Sequence, residues 1–145
     1  MNKKKLATEK NFLQALENHK KNNIQSAENY YKEALKLNPD HFETNYYLAG
    51  LFAQTKNFSP AKLLFEKAIK IKPDFVEANY NLSLIKLLKG NYIEGWKLYE
   101  WRKKRPKFKK YLIFDKKDEW LGDKDLNKKI IYIRKEQALG DYIQY

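Results

Sequence analysis

Few residues in this chain are equipped for covalent chemistry. Cysteine is absent, which excludes disulfides, thiolate metal sites and cysteine nucleophiles. His19 and His41 are the only histidines, too few and too far apart for a histidine-rich metal site. Composition leaves room for a Ser-His-Asp arrangement, but no motif points to one. No metal and no cofactor are expected. Positive charge is abundant: the net charge is +12, and residues 102–110 hold seven basic side chains around Pro106 and Phe108. Arginine occurs only at Arg102, Arg105 and Arg134, whereas bidentate contact with phosphate or guanine favours arginine. Lysine, asparagine, isoleucine, tyrosine and phenylalanine are all common, as AT-rich codons would make them. The basic stretch therefore reads as a solvated linker, and nucleic acid is disfavoured as a partner. Recognition remains: the chain carries 11 tyrosines, rigid rings with polar tips.

The elements that position those side chains follow from an internal period. Asn38-Pro39-Asp40 and Lys72-Pro73-Asp74 lie 34 residues apart. The same interval links Ala27, Ala61 and Gly95; Tyr31, Phe65 and Tyr99; Ile24, Phe58 and Tyr92; Ala15, Ala49 and Ser83; and Leu48 with Leu82. Such self-similarity marks a stacked repeat. Within a unit, a small residue, an aromatic and a small residue recur at i, i+4 and i+7 (Ala27, Tyr31, Ala34; Ala61, Phe65, Ala68), one face of a 3.6-residue helix. Small residues let the second helix approach the first, the ring fills the space between, and Pro39 or Pro73 ends the helix. Asn22, Lys56 and Gly90 fall in the turn between paired helices, where a left-handed backbone is wanted; Lys56 suits it least. Helices are predicted near 7–21, 24–37, 41–55, 58–71, 75–89 and 92–104.

These columns resemble the tetratricopeptide repeat (TPR). The resemblance implies an all-α superhelix of about three helix-turn-helix units, over 8–41, 42–75 and 76–105, after an N-terminal tail at 1–6. Its structural positions map onto Ala27, Tyr31, Ala34, Pro39, Leu48, Ala49, Ala61, Phe65, Ala68, Pro73, Leu82, Gly90, Gly95 and Tyr99. Gln14 stands where the family has leucine, and the third unit carries Gly95 and Arg102 for alanines, so its last helix should end differently. In the family, the first helix of each pair lines a concave groove. Carried over, that groove comprises Glu43, Tyr46, Tyr47, Gly50 and Gln54, then Glu77, Tyr80, Asn81, Leu84 and Leu88. Tyr46 and Tyr80 serve equally well for recognition or for packing between repeats; Tyr47 and Asn81 should be exposed. A lysine/arginine clamp for acidic C-termini, known in some members, is poorly matched. The implied partner is a protein or peptide.

Beyond the array, Trp96, Tyr99 and Trp101 are suited to capping its apolar end. A basic linker spans 106–129. The run Ile130, Ile131, Tyr132, Ile133 then reads as a buried parallel strand, followed by a loop with Gly140 and a starting helix, the opening of a Rossmann-like lobe. Gly95-Trp96-Lys97-Leu98-Tyr99-Glu100-Trp101-Arg102, Trp120-Leu121-Gly122 and Glu136-Gln137-Ala138-Leu139-Gly140-Asp141-Tyr142-Ile143-Gln144-Tyr145 are similar to the junction in bacterial TPR proteins fused to GT-B-type glycosyltransferases. Ala138 replaces that family's first loop glycine. The resemblance implies a fragment cut at 130–145, just inside a transferase domain. In the parent, Asp141 would either orient an acceptor hydroxyl or start a helix; the sugar nucleotide would need the missing second lobe, so no catalysis is expected of these 145 residues. A free-standing adaptor with a basic tail is the alternative, and an anionic-surface binder a weaker one. No apolar run nears the roughly 18 residues of a membrane span, and Met1-Asn2-Lys3-Lys4-Lys5 lacks a following apolar signal region. A soluble, cytoplasmic location is expected.

Overall fold

The computed structural model describes residues 3–106 and 125–129. Residues 3–106 contain six α-helices: α1 (Lys3–Lys20), α2 (Ile24–Leu37), α3 (Phe42–Gln54), α4 (Phe58–Ile71), α5 (Val76–Leu88) and α6 (Tyr92–Tyr99), then a 3-10 helix at Glu100–Lys104. No strand occurs among the described residues. The strand expected at 130–133, most of the linker, Trp120 and Asp141 lie outside them. The chain divides into two units, Met1–Arg105 and Pro106–Tyr145. In the second, residues 125–129 form a turn in which the Lys129 N–H donates to the Leu126 carbonyl (3.0 Å).

Two boundaries differ from expectation. The tail assigned to 1–6 is helical from Lys3. Lys3, Lys4, Lys5 and Leu6 contain no breaker and lose little rotamer freedom in a helix, and the Thr8 hydroxyl donates back to the Lys4 carbonyl (2.9 Å). The last helix, expected to reach 104, ends at Tyr99 and tightens into the 3-10 turn, as the departures in the third unit foreshadowed.

Paired helices are joined by three copies of one turn. Asn22, Lys56 and Gly90 have φ of 60°, 61° and 77°, the left-handed conformation that closes a helix C-terminus. Beside each, a 6→1 bond forms: Asn23 N–H to Asn18 O (2.9 Å), Asn57 N–H to Phe52 O (2.7 Å) and Asn91 N–H to Lys86 O (2.9 Å). Repeats are joined differently. Asn38 and Lys72 adopt extended φ of −138° and −135°, because the following proline disfavours the helical region for the residue before it.

Within each hairpin the expected wedge is present. Ala27, Tyr31 and Ala34, and Ala61, Phe65 and Ala68, are fully buried. Phe12, Leu48 and Leu51 pack with the first set, and Leu82, Ile85 and Ala78 with the second. The third hairpin is tighter: a Cβ on Gly95 would lie 2.7 Å from Leu87 Cδ2 and 2.8 Å from Leu87 Cγ, so α6 sits closer to α5 than alanine permits. Successive units touch through α2 with α3 and α4 with α5. The first helices also touch one another, α1 with α3 and α3 with α5, whereas α2 and α4 do not meet. That asymmetry curves the array with α1, α3 and α5 inside.

Asn45 and Asn79, also 34 residues apart, secure the inter-repeat loops from within. Each buried amide donates twice: Asn45 Nδ2 to Pro39 O and His41 O, and Asn79 Nδ2 to Pro73 O and Phe75 O, all at 2.9 Å. A buried donor left unmatched costs about 1–3 kcal/mol, so this pairing fixes the loop path.

Phe65→Ala is expected to cost about 3–5 kcal/mol, the range for emptying a buried aromatic site, read as a lowered denaturation midpoint. An unchanged melt would refute the packing described. Lys56→Gly is expected to stabilise by about 0.5–1 kcal/mol, because relief of the left-handed strain exceeds the entropy glycine adds to the unfolded chain.

Candidate functional site

The inner surface is built from equivalent positions on α1, α3 and α5. Each helix carries a carboxylate at the same register: Glu43 and Glu77 in the first turns of α3 and α5, and Glu9 nearly two turns into α1, spaced 34 residues apart. One turn later comes an aromatic residue: Phe12, Tyr46 and Tyr80. Beside these lie Leu13, Tyr47 and Asn81, and near the helix ends Lys20, Gln54 and Leu88.

His41 joins the first two carboxylates. Its Nε2 lies 3.5 Å from Glu9 and 3.6 Å from Glu43, while its Nδ1 shares a hydrogen bond with the Thr44 hydroxyl (2.7 Å). The imidazole also meets Phe12 edge-on at 5.4 Å. Among the described residues no His, Asp and Glu group could hold a metal ion. The other histidine ties α1, α2 and α3 together: Tyr31 OH lies 3.3 Å from His19 Nδ1, and His19 Nε2 lies 3.1 Å from Gln54 Oε1. Since the amide oxygen only accepts, Nε2 carries the proton and Nδ1 accepts from the phenol.

Tyr46 occupies the centre. Its ring stands edge-on to Phe75 at 4.9 Å and to Tyr47 at 5.2 Å, with Phe65 beneath at 5.9 Å. Burial raises its phenol pKa, with Glu77 and Tyr47 adding to the effect; a hydrogen bond with Asn81 and the Arg105 charge oppose it. Tyr46 thus packs between the second and third units and bonds its polar tip to Asn81. Tyr80 carries the Arg105 guanidinium over its face at 4.4 Å and lies 5.7 Å from Tyr99. Tyr47 is exposed and Asn81 half-buried; Glu43, Gln54 and Leu88 are exposed; Glu77, Tyr80 and Leu84 are half-buried. At Gly50 an added Cβ would meet nothing within 4 Å, so the floor is open in the middle of α3.

The capping role expected of the C-terminal aromatics is divided. Tyr99 and Trp101 are half-buried, with Arg102 over the Tyr99 ring (4.6 Å) and the Lys104 ammonium over the Trp101 ring (3.7 Å). Trp96 is 57% exposed: it faces away from α5 and touches Tyr99 by its edge at 5.5 Å. Four groove-side residues escaped the sequence reading: Glu9, Phe12, His41 and Arg105. Glu9 and Phe12 were available from the 34-residue period itself. His41 shares a column with Phe75, each preceding an inner helix, but the two residues differ in chemistry; Arg105 lies beyond the last helix, where no repeat column leads.

Residues 18–81 match the family model described as tetratricopeptide repeat. A comparison with curated proteins finds no match. Among solved structures, two of MamA are similar over 71% and 74% of this chain, at 23% and 22% identity and TM-scores of 0.63 and 0.61. The chain spans about three-fifths of those chains, 60% and 59%. An O-GlcNAc transferase mutant of Thermobaculum terrenum matches over 74% of this chain and 21% of its own, at 19% identity and TM-score 0.67. The TPR2B domain of yeast Sti1, in complex with pHsp70, matches over 68% of this chain and 79% of its own, at 21% identity and TM-score 0.62. Residues 18–81 thus carry the tetratricopeptide repeat, and the helical array has the TPR fold. Among the described residues no helix is long and apolar enough to cross a membrane.

The tyrosines set an alkaline limit on stability. Burial raises the pKa of Tyr31 and of Tyr46 above the ordinary value of 10.0. Above that value the unfolded chain loses these protons while the folded chain keeps them, so unfolding stability has a negative slope with pH. Their contribution is complete below about pH 10 and declines above it. Tyr46→Phe is expected to flatten the decline in melting temperature above about pH 10; an unaltered slope would show that Tyr46 ionises freely.

Proposed function

We propose that this array is a protein-interaction scaffold that holds an extended peptide along the inner faces of α1, α3 and α5. The observation that carries this reading is the adjacency of the three inner helices. It brings Tyr46 and Tyr80 into one row beside Tyr47 and Asn81, over an open floor at Gly50, while Phe12 at the equivalent position of α1 is buried in the core. Rings supply contact area at low entropic cost, and the exposed amide of Gln54 and the half-buried one of Asn81 suit main-chain groups of an extended ligand. That the similar Sti1 domain was captured in a complex supports the reading.

We further propose that, in a longer parent, the array presents substrate to a glycosyltransferase domain opening at 130–145. The motifs at 95–102, 120–122 and 136–145 support this, as does similarity of the array to part of an O-GlcNAc transferase chain. In that parent the sugar nucleotide is a ligand of the catalytic domain, not of this array. The reading frame beyond Tyr145 tests the proposal: several hundred residues of alternating strand and helix would uphold it, and a stop codon would leave the free-standing adaptor.

For the groove, peptides selected on the purified chain by phage display provide the probe. Amide shifts on titration are expected to cluster at Tyr47, Gln54, Asn81 and Leu84; a cluster around Lys62 or Lys97 would overturn the assignment. Gly50→Leu is expected to raise the melting temperature, since leucine gains about 0.5–1 kcal/mol over glycine within a helix, while weakening binding of the same peptides by filling the floor. Binding unaffected by that substitution would place the ligand elsewhere.

A further inference from the structure

We propose that two copies of this chain pair through α6, with Tyr92, Ile93 and Trp96 packing against the α6 of the second copy about a two-fold axis. These side chains lie off the inner helices, so the inference stands apart from the peptide-groove reading.

Repeat register singles the patch out. Ile93 occupies the column of Gln25 and Ser59, and Trp96 that of Glu28 and Lys62. Two polar columns thus turn apolar in the third unit alone. Tyr92 follows Ile24 and Phe58, which are half-buried against the clusters that hold Leu48 and Leu51 of α3 and Leu82 and Ile85 of α5. Among the described residues no inner helix follows α6, and Tyr92 is 61% exposed, Ile93 88% and Trp96 57%. A terminal repeat ordinarily presents a polar outer face; this one gathers three large apolar side chains there.

The opposite end of the array decides the form of self-pairing. Lys10, Gln14 and Glu17 of α1 stand where α3 buries Thr44, Leu48 and Leu51 and α5 buries Ala78, Leu82 and Ile85. That end is polar, so stacking arrays head to tail would bury charges against the apolar patch. Pairing of like ends remains, which is isologous and closes at two copies. Local charge permits it. The chain is at +12, yet Glu94 pairs with Lys86, and Glu100 with Arg102 and Lys103, while α6 itself carries one acid and one base, Glu94 and Lys97.

The exposed ridges of α6 are self-complementary in one direction. Tyr92 and Trp96, one turn apart, form one ridge, and Ile93 and Lys97 the next. In an antiparallel pair, Ile93 meets Trp96 of the second copy and Lys97 lies over its Tyr92 ring, a favourable cation–ring contact. A parallel pair would set Lys97 against Lys97. At these exposures the three side chains offer on the order of 400–500 Å² per copy. With its rim the pair reaches about 1,000 Å², the lower bound for a specific interface. The dimer is accordingly weak and concentration-dependent, and it presents two grooves to a bivalent ligand.

Sedimentation velocity of the 145-residue chain tests this. A reversible monomer–dimer equilibrium is expected. It should tighten severalfold as salt rises from about 0.05 to 0.5 M, because screening relieves the repulsion between two basic copies. Ile93→Glu should weaken association at least about tenfold without altering the melt, since that side chain touches little within its own copy. Cysteine is absent, so Ile93→Cys supplies a single thiol. Packed helices lie roughly 8–10 Å apart, and a bismaleimide of that reach should link two Ile93→Cys copies, whereas Gln14→Cys at the polar end should give no linked pair. A monomer at every concentration up to about 1 mM overturns the inference, and capture of a foreign protein through Ile93 and Trp96 by that monomer would assign the patch to it. Association unmoved by Ile93→Glu overturns it too, as do links at Gln14 as efficient as those at Ile93. Loosening with salt would overturn the apolar contact in favour of an ionic one.

Discussion

Everything in this array depends on a ring wedged between two alanines. A helical hairpin has a single apolar seam, and two helices can bury it well only where small residues allow approach and something large fills the gap. Tyr31 between Ala27 and Ala34, and Phe65 between Ala61 and Ala68, meet both needs with no exposed surface. Once that distance is set, the left-handed turns at Asn22, Lys56 and Gly90 close the hairpins at a fixed angle. The inner helices are then brought side by side, and the row of rings and carboxylates follows. Where the wedge is altered the geometry changes. In the third unit Gly95 replaces alanine, α6 presses onto the Leu87 side chain, and the helix gives way to a 3-10 turn after eight residues.

What was legible in the sequence was what the repeat period repeats. The wedge residues, both helix-ending prolines and all three turn positions recur at 34 residues, and each is found in the role its chemistry suggested. Even Lys56, the residue least suited to a positive φ, adopts it, because the 6→1 bond and the packing on either side over-determine the backbone there. Glu9 and Phe12 obey the same period but sit in the first repeat, whose departure at Gln14 drew attention from its agreements. Asn45 and Asn79 are harder. Asparagine reads as a loop or cap residue by propensity, and only the folded chain reveals that their amides reach back to the carbonyls of Pro39 and Pro73. Trp96 shows the opposite limit. Its size argued for burial, yet its place on α6 is set by Gly95 facing α5, which turns position 96 outward.

The site was legible in composition more than in connection. Family register named Tyr46, Tyr47, Tyr80 and Asn81; among them Tyr46 meets the Tyr47 ring and bonds Asn81. The links between them depend on side chains from outside that register. Arg105 arrives from beyond the last helix, His41 from a loop, and His19 from the end of α1 to hold Gln54. None of these contacts is encoded by spacing along one helix; each arises because curvature brings separate segments to the same side.

That curvature also explains why Tyr46 can be both a packing residue and part of the surface. On a flat stack, a ring at the unit boundary would be wholly covered by the next repeat. Here the first helices meet along the inner edge while α2 and α4 stay apart, and Tyr46 at that edge is half-buried, not wholly covered. The ring of Tyr46 is held by Phe65 and Phe75, and its hydroxyl end reaches Asn81 of the following repeat. A ligand pressing on this row would therefore bear on the joint between the second and third units. The angle at that joint is the degree of freedom a solenoid has in greatest supply, because each unit contacts only its neighbours. An occupant of the proposed groove would thus be coupled through these residues to the pitch of the array.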